Sequence, residues 1–140
     1  MKNSTHKDMI VWQKSMQLIK AIYGVTNKFP KEEVYSLTNQ IRRAAVSVPS
    51  NLAEGYAMKS TTHFIKYIYT ARGSLAELET QFMIANDLDY GSKDEITTIL
   101  VEINDINKMI NKMLASLYQK IEAQKVKEQF LEIDSLTTDH

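Results

Sequence analysis

Residues 64–85 read FIKYIYTARGSLAELETQFMIA, and this stretch decides the fold. Its apolar residues recur in alternating steps of four and three, which keeps them on one face of an α-helix. The seam consists of Phe64, Ile68, Ala71, Leu75, Leu78, Phe82 and Ala85. A heptad-like seam suits packing at a shallow angle against other helices. The stretch therefore predicts a long helix in a bundle, beginning after a cap at Ser60 or Thr61 and ending near Leu88.

Three further amphipathic helices are predicted around this one. Two precede it, over about residues 8–28 and 31–57, with Pro30 between them because proline disfavours helix in the preceding residue. The first of them has two neighbouring apolar lines, which are expected to form one wide buried face: Trp12, Met16, Ile19, Tyr23 and Thr26, and beside them Leu18, Ile22, Val25 and Phe29. The apolar spacing continues in phase across Pro49, so we predict one second helix that is kinked there. The last helix follows Gly91, and Ser92 with Glu95 three residues later is predicted to form its capping box. The links between the four helices are short, so the predicted fold class is all-α, an antiparallel up-down-up-down four-helix bundle.

The chain is expected to form a single domain over residues 1–125. Residues 126–140 carry one lysine against four acids and little periodicity. We therefore expect an acidic, frayed or flexible tail there.

Composition excludes several classes of protein. The 140 residues include no cysteine, four glycines and two prolines, which excludes disulfides, Cys-ligated zinc and turn-rich barrels. No segment is apolar enough for a membrane span and the N-terminus lacks a signal-peptide core, so a cytoplasmic location is expected. Net charge is zero, but residues 1–76 carry +7 and residues 77–140 carry −7. This asymmetry indicates either a bipolar molecule or charges that pair across antiparallel helices.

No catalytic constellation is evident. The three histidines, His6, His63 and His140, are far apart, and no Glu-x-x-His pair or glycine-rich phosphate loop occurs. We therefore expect a protein that is not an enzyme, with no cofactor, no metal and no small-molecule substrate.

The second helix contains an unusual polar stripe. Arg43, Ser47, Ser50 and Glu54 share one face, because 11 residues bring Glu54 back to within about 20° of Arg43. One interpretation is an exposed functional patch made by Arg42, Arg43, Asn51 and Glu54. The other is structural, with Arg42 or Arg43 bonded to Glu54, Glu77 or Glu79 so that the second helix is held on the third.

The third helix contains a run of small residues, Ala71, Gly73, Ser74 and Ala76. Glycine inside a helix costs about 1 kcal/mol relative to alanine, so Gly73 indicates that something packs closely there. Close helix packing, either within the chain or between subunits, explains this run better than a ligand pocket.

Direct binding of RNA or DNA is the alternative to a non-enzymatic protein that assembles with itself. Each phosphate contact needs a basic side chain, and only the first half of the chain has a surplus of them. The candidate contacts are Lys14, Lys20, Lys28, Arg42, Arg43, Lys59, Lys66 and Arg72.

Four segments resemble the small bundle proteins called 23S rRNA intervening-sequence proteins. They are VWQK (residues 11–14), FPKEE (29–33), QIRRAAVSVPSNLAEG (40–55) and GSLAELE (73–79). They occur in the right order and spacing, and the resemblance covers about residues 8–120. The motif positions it carries over are Arg42, Arg43, Pro49, Asn51, Glu54, Gly55, Gly73, Ser74 and Glu77.

The resemblance implies a bundle that assembles with itself and has a poorly defined biochemical role. The family is similar to the accessory variability protein of diversity-generating retroelements, a pentameric barrel that binds nucleic acid and a reverse transcriptase. A ring-shaped homo-oligomer, specifically a pentamer, is therefore expected. The motif residues would hold the second and third helices together and shape a subunit contact.

Overall fold

The computed structural model describes residues 4–138, and these residues form four α-helices and two short 3₁₀ turns. The helices are α1 (Ile10–Thr26), α2 (Leu37–Ala57), α3 (Thr61–Asp87) and α4 (Lys93–Thr138). The 3₁₀ turns, His6–Asp8 and Lys31–Glu33, precede α1 and α2. None of the helices in the described residues combines the length and the apolar character needed to cross a bilayer.

Each helix packs against its neighbours in the chain, and α4 also packs against α1, so the four helices close into a bundle. Paired contacts show the direction of neighbouring helices. Between α2 and α3, Ser47 contacts Ser74, whereas the later residue Gly55 lies against the earlier residue Tyr67. The start of α4 lies at the end of α1, where Lys28 and Glu95 form an ion pair. These contacts agree with the predicted antiparallel order.

The core contains most of the α3 seam and its counterpart on α4. Ile68, Ala71, Leu75, Leu78, Phe82 and Ala85 are buried, whereas Phe64 is half-buried. On α1, two neighbouring apolar lines were predicted to share one wide buried face. The line through Leu18, Ile22 and Val25 is buried, while Met16 and Tyr23 are exposed. The expectation was therefore wrong for these two residues.

The start of α2 differs from the prediction. Residues 31–33 form a 3₁₀ turn, and α2 begins only at Leu37. The Glu33 carboxylate makes the intervening turn, because it accepts hydrogen bonds from Ser36 Oγ at 2.8 Å and from the Leu37 N–H at 3.3 Å. The hydrogen bond from Ser36 and, to a smaller extent, that from Leu37 lower the pKa of Glu33.

Pro49 lies inside the continuous helix α2, and a kink there stays a prediction.

The predicted caps of the last two helices are confirmed. Ser60 Oγ accepts a hydrogen bond from the His63 N–H, and Ser92 Oγ accepts one from the Glu95 N–H, each at 3.4 Å. Gly91 has a φ of +69°, a left-handed conformation that glycine adopts without a steric penalty.

The end of the chain also differs from the prediction. α4 continues to Thr138, so residues 126–138 are helical and do not form a frayed tail. Their Glu, Lys, Gln and Leu residues are good helix formers, which the low periodicity had obscured.

Candidate functional site

A chain of polar side chains joins α2 to α3 beside the motif. Asn51 Nδ2 donates to the Ser47 carbonyl at 2.8 Å and lies 2.9 Å from Ser47 Oγ. Ser47 Oγ is 2.8 Å from Ser74 Oγ, and Ser74 Oγ in turn donates to the Thr70 carbonyl. These polar groups are satisfied within the chain. Asn51 and Ser74 therefore belong to a hydrogen-bonded network that links the two helices.

Gly55 lets α2 and α3 approach closely. A Cβ at this position would lie 2.6 Å from Tyr67 Cβ and 3.0 Å from Phe64 Cδ1. The first of these atoms is fixed to the α3 backbone, so the contact has no room to relax by side-chain rotation. A side chain at position 55 would push the helices apart.

Arg42 joins α2 to the end of α1. Its Nε donates to Thr26 Oγ1 at 3.0 Å, and its Nη2 donates to Asn27 Oδ1 at 2.9 Å. The guanidinium also stacks on the Tyr23 ring, with 4.5 Å between Cζ and the ring centroid. The structural interpretation that paired Arg42 with a glutamate was therefore wrong, because the partners are neutral groups on α1.

The exposed motif residues Arg43, Glu54 and Glu77 behave differently. Within the described residues, no ion pair within 4.0 Å links Arg43 to Glu54, Glu77 or Glu79. Arg43 and Glu77 instead line a shallow groove between α2 and α3, together with Tyr35, Asn39, Gln40, Ala44 and Gln81. Gln81 is nearly fully buried, and its Oε1 has no hydrogen-bond partner among residues 4–138. The groove therefore offers the side chains of Arg43 and Glu77 and the Gln81 Oε1 atom as possible contacts for another molecule.

A second surface runs along α3. Its members, which we call the α3 outer face, are all exposed and uncharged: Tyr69, Gly73, Ala76, Thr80, Met83 and Ile84. A Cβ at Gly73 would have no atom within 4 Å, so packing within the chain does not require a glycine at this position. Of the two explanations given for the run of small residues, close packing within the chain therefore does not apply to Gly73.

A groove of about 460 Å³ lies between α3 and α4, and Tyr69, Gly73 and Ala76 of the α3 outer face line it. Arg72 spans it, donating to Asn111 Oδ1 at 3.2 Å while its guanidinium stacks on Tyr69 at 4.7 Å. The hydroxyls of Tyr69 and Tyr118 are 2.9 Å apart. This hydrogen bond, followed by burial, raises the pKa of Tyr118. Arg72 and Tyr69 are thus held in place by α4 at the edge of the α3 outer face.

The predicted nucleic-acid contacts are spread over several elements of the bundle, and two of them lie beside acidic residues of α4. Lys14 lies in a small groove with Glu102 and Asp105 of α4, and Lys28 is paired with Glu95. At these two positions, the acidic half of the chain lies beside the basic half. The contacts favour the interpretation in which antiparallel helices bring opposite charges together.

The other basic candidates lie on separate elements. Lys20 is exposed on α1, Lys59 lies in the turn after α2, and Lys66 is exposed on α3. Arg72 and Arg42 are already bonded to groups of the chain itself. Nucleic-acid binding stays a prediction.

The histidines form no common site. His6 packs edge-to-face on Trp12 with 5.1 Å between ring centroids, and His63 Nδ1 lies 2.9 Å from Ser60 Oγ. His140 lies outside the described residues. Over residues 4–138, no group of three or more His, Cys, Asp or Glu side chains could hold a metal ion.

Comparison with known families identifies the chain. Residues 7–112 match the family described as "23S rRNA-intervening sequence protein", which is well over half of the chain. The chain belongs to this family. The predicted resemblance, over about residues 8–120, is confirmed. No curated protein matches the chain.

A solved structure also places this intervening-sequence protein in a known fold. This chain is similar to a protein of unknown function from the S23 ribosomal protein family of Bacteroides thetaiotaomicron, with a TM-score of 0.70 and 20% sequence identity. The alignment covers 76% of this chain and 96% of that one. At this identity the similarity shows the fold alone. All the motif residues lie inside the family region, whereas the end of α4 lies beyond it.

Proposed function

We propose that this member of the 23S rRNA intervening-sequence family is a non-enzymatic scaffold that assembles with itself through the α3 outer face. The observation that carries the proposal is Gly73. It lies in the middle of a helix, where glycine costs about 1 kcal/mol relative to alanine, and nothing in its own chain needs the space. A second copy packed closely against this point would account for the glycine.

The composition of the face supports the same conclusion. Its six members carry no charge, and Tyr69, Met83 and Ile84 expose large apolar side chains around the small residues. Depletion of charge with enrichment of aromatic side chains and methionine is typical of the centre of a protein interface. By contrast, one exposed side of α1 carries the polar residues Gln13, Gln17 and Lys20.

The stoichiometry we propose is a pentamer, which rests on the family's similarity to a pentameric barrel. A ring needs two different surfaces on each copy, because only a head-to-tail contact closes by rotation. The α3 outer face would supply one of the two surfaces. The groove containing Arg43, Glu77 and Gln81 offers the unpaired polar groups that a second surface could use.

The test replaces Gly73 with glutamine, a bulky helix former. Gly24→Gln is the matched control, because Gly24 is also exposed inside a helix with no atom within 4 Å of a Cβ. Both variants gain about 0.5 kcal/mol of helix propensity in the isolated chain. We expect Gly73→Gln to reduce the particle mass in light scattering and Gly24→Gln to leave it unchanged.

A wild-type mass near a whole multiple of five chains of 16.1 kDa each would support the pentamer. Equal masses for wild type and Gly73→Gln would refute the α3 outer face as the contact. The same measurement with a structured RNA at low and high salt tests the alternative function. A heavier particle that disappears with added salt would replace the scaffold by a nucleic-acid-binding protein.

A further inference from the structure

The last part of α4 extends beyond the bundle. Leu117 and Ile121 are the last residues of the helix that are half-buried against the core. Every residue from 122 to 137 is exposed. Residues 122–138, which we call the α4 extension, are a single helix about 25 Å long at 1.5 Å per residue.

The α4 extension carries an apolar stripe of its own. Val126, Phe130 and Ile133 follow one another in steps of four and three, and Leu136 lies at the edge of the stripe. These four side chains are between 45% and 67% exposed. Phe130 follows Ile121 by nine residues, or about half a turn in net rotation, so the stripe faces away from the bundle core.

A partner must cover this stripe if the helix is to be stable. A single helix of this length surrounded by water is only marginally stable, because most helical stability in proteins comes from packing of an apolar face. The matched family region ends at residue 112, and the comparison structure spans 76% of this chain. The stripe is thus a surface additional to the bundle's own.

We propose that the α4 extension pairs with the α4 extension of a second copy in antiparallel orientation. Charge supports a second copy as the partner, because the charged residues that flank the stripe are Lys125 and Lys127 in its first half and Glu132 and Asp134 in its second. Of the other two charged residues of the extension, Glu122 precedes the stripe and Glu128 lies on the opposite side of the helix. If Phe130 packs opposite Ile133 of the second copy, Lys127 comes beside Asp134 of that copy. The two-fold axis repeats both contacts, so the surface is self-complementary.

The antiparallel direction follows from the rest of α4. Lys108 and Lys112 precede Val126 and Phe130 by 18 residues, which is about five turns, so they lie on the same face. Both lysines are exposed. A parallel pair would place each of them against the same lysine of the other copy, and like charges in contact are destabilising. An antiparallel pair overlaps only through the extensions.

This pairing goes beyond the proposed function and does not depend on it. The test uses the full chain and the variant Phe130→Gln. Leu131→Gln is the matched control, because Leu131 is 60% exposed against 66% for Phe130. Leu131 lies about 140° around the helix from Val126, outside the stripe. The variants remove similar exposed side chains and keep a residue that favours helix.

We expect Phe130→Gln to halve the particle mass in sedimentation equilibrium, whatever the bundle's own stoichiometry, and to raise the dissociation constant of the pairing about tenfold or more. Leu131→Gln should behave as wild type. Equal masses in all three proteins, or an equal loss in both variants, would overturn the proposal. Because Gly73→Gln reports separately on the α3 outer face, failure of one interface is distinguishable from failure of the other.

Reversing the charges tests the direction of pairing. Lys127→Glu should weaken association by placing a glutamate beside Asp134 of the second copy, and so should Asp134→Lys. The double variant Lys127→Glu/Asp134→Lys restores opposite charges across an antiparallel pair and should recover wild-type association. A double variant no stronger than the single variants would refute this register.

Discussion

Replacing Gly55 with alanine tests the closest approach in the bundle. The new Cβ would lie 2.6 Å from Tyr67 Cβ, a distance that real side chains do not adopt, and Tyr67 Cβ moves only with the α3 backbone. Overpacking of this kind costs typically about 1–3 kcal/mol. Alanine returns about 0.5–1 kcal/mol of helix propensity. We therefore expect Gly55→Ala to lower the free energy of unfolding by about 1–2 kcal/mol.

Gly24→Ala is the comparison, because the same substitution there meets no atom within 4 Å and should stabilise the protein by about 0.5–1 kcal/mol. The assay is urea unfolding followed by circular dichroism, at one protein concentration for all variants. The two substitutions should shift the midpoint in opposite directions with similar slopes. If Gly55→Ala were as stable as wild type or more so, the close contact between α2 and α3 would be absent and the reasoning wrong.

Two further predictions concern the polar groups that hold α2 in place. Arg42→Ala removes the hydrogen bonds to Thr26 and Asn27 and should cost about 1–2 kcal/mol, whereas the exposed Arg43→Ala should stay within about 0.5 kcal/mol in the same urea assay. Equal effects would contradict the different roles of the two arginines. Because its Ser36 and Leu37 hydrogen bonds lower the pKa of Glu33 in the folded state, this group stabilises the protein above the usual glutamate pKa of about 4.3. That contribution is lost as the pH falls through the lower folded pKa, so Glu33→Gln should flatten the acid limb of stability against pH, measured from thermal midpoints.

The fold was predictable wherever one apolar line dominates a helix. The seam of α3 left one choice of buried face, and glycine or serine at the ends of α3 and α4 marked their limits. On α1 two apolar lines lie side by side, and the sequence does not say which faces the centre. The line containing Leu18 and Ile22 is buried and leaves Met16 and Tyr23 outside. That choice depends on how α2 and α4 flank α1, which is a tertiary property.

The site was less predictable because its contacts are between helices. The structural interpretation drawn from the sequence assigned Arg42 or Arg43 a glutamate partner, but the acceptors of Arg42 lie at the end of α1. No local pattern identifies them, since they are 15 and 16 residues away. Likewise, Gly55 and Gly73 look alike in sequence as glycines inside helices. Only the structure shows that one is closed against Tyr67 and the other faces open space.

This difference determines which substitutions can report on function. Asn51 and Ser74 have their hydrogen bonds within the chain, so changing them alters stability first and any assembly only as a consequence. Gly73 and Phe130 contribute nothing to the core of their own chain, so a change of particle mass caused by either cannot be explained by a lost fold. If both variants keep the helical content of wild type by circular dichroism and yet lower the mass, the two surfaces are contacts between copies. Substitutions of the polar network offer no such separation, which is why the outer residues are the ones to change first.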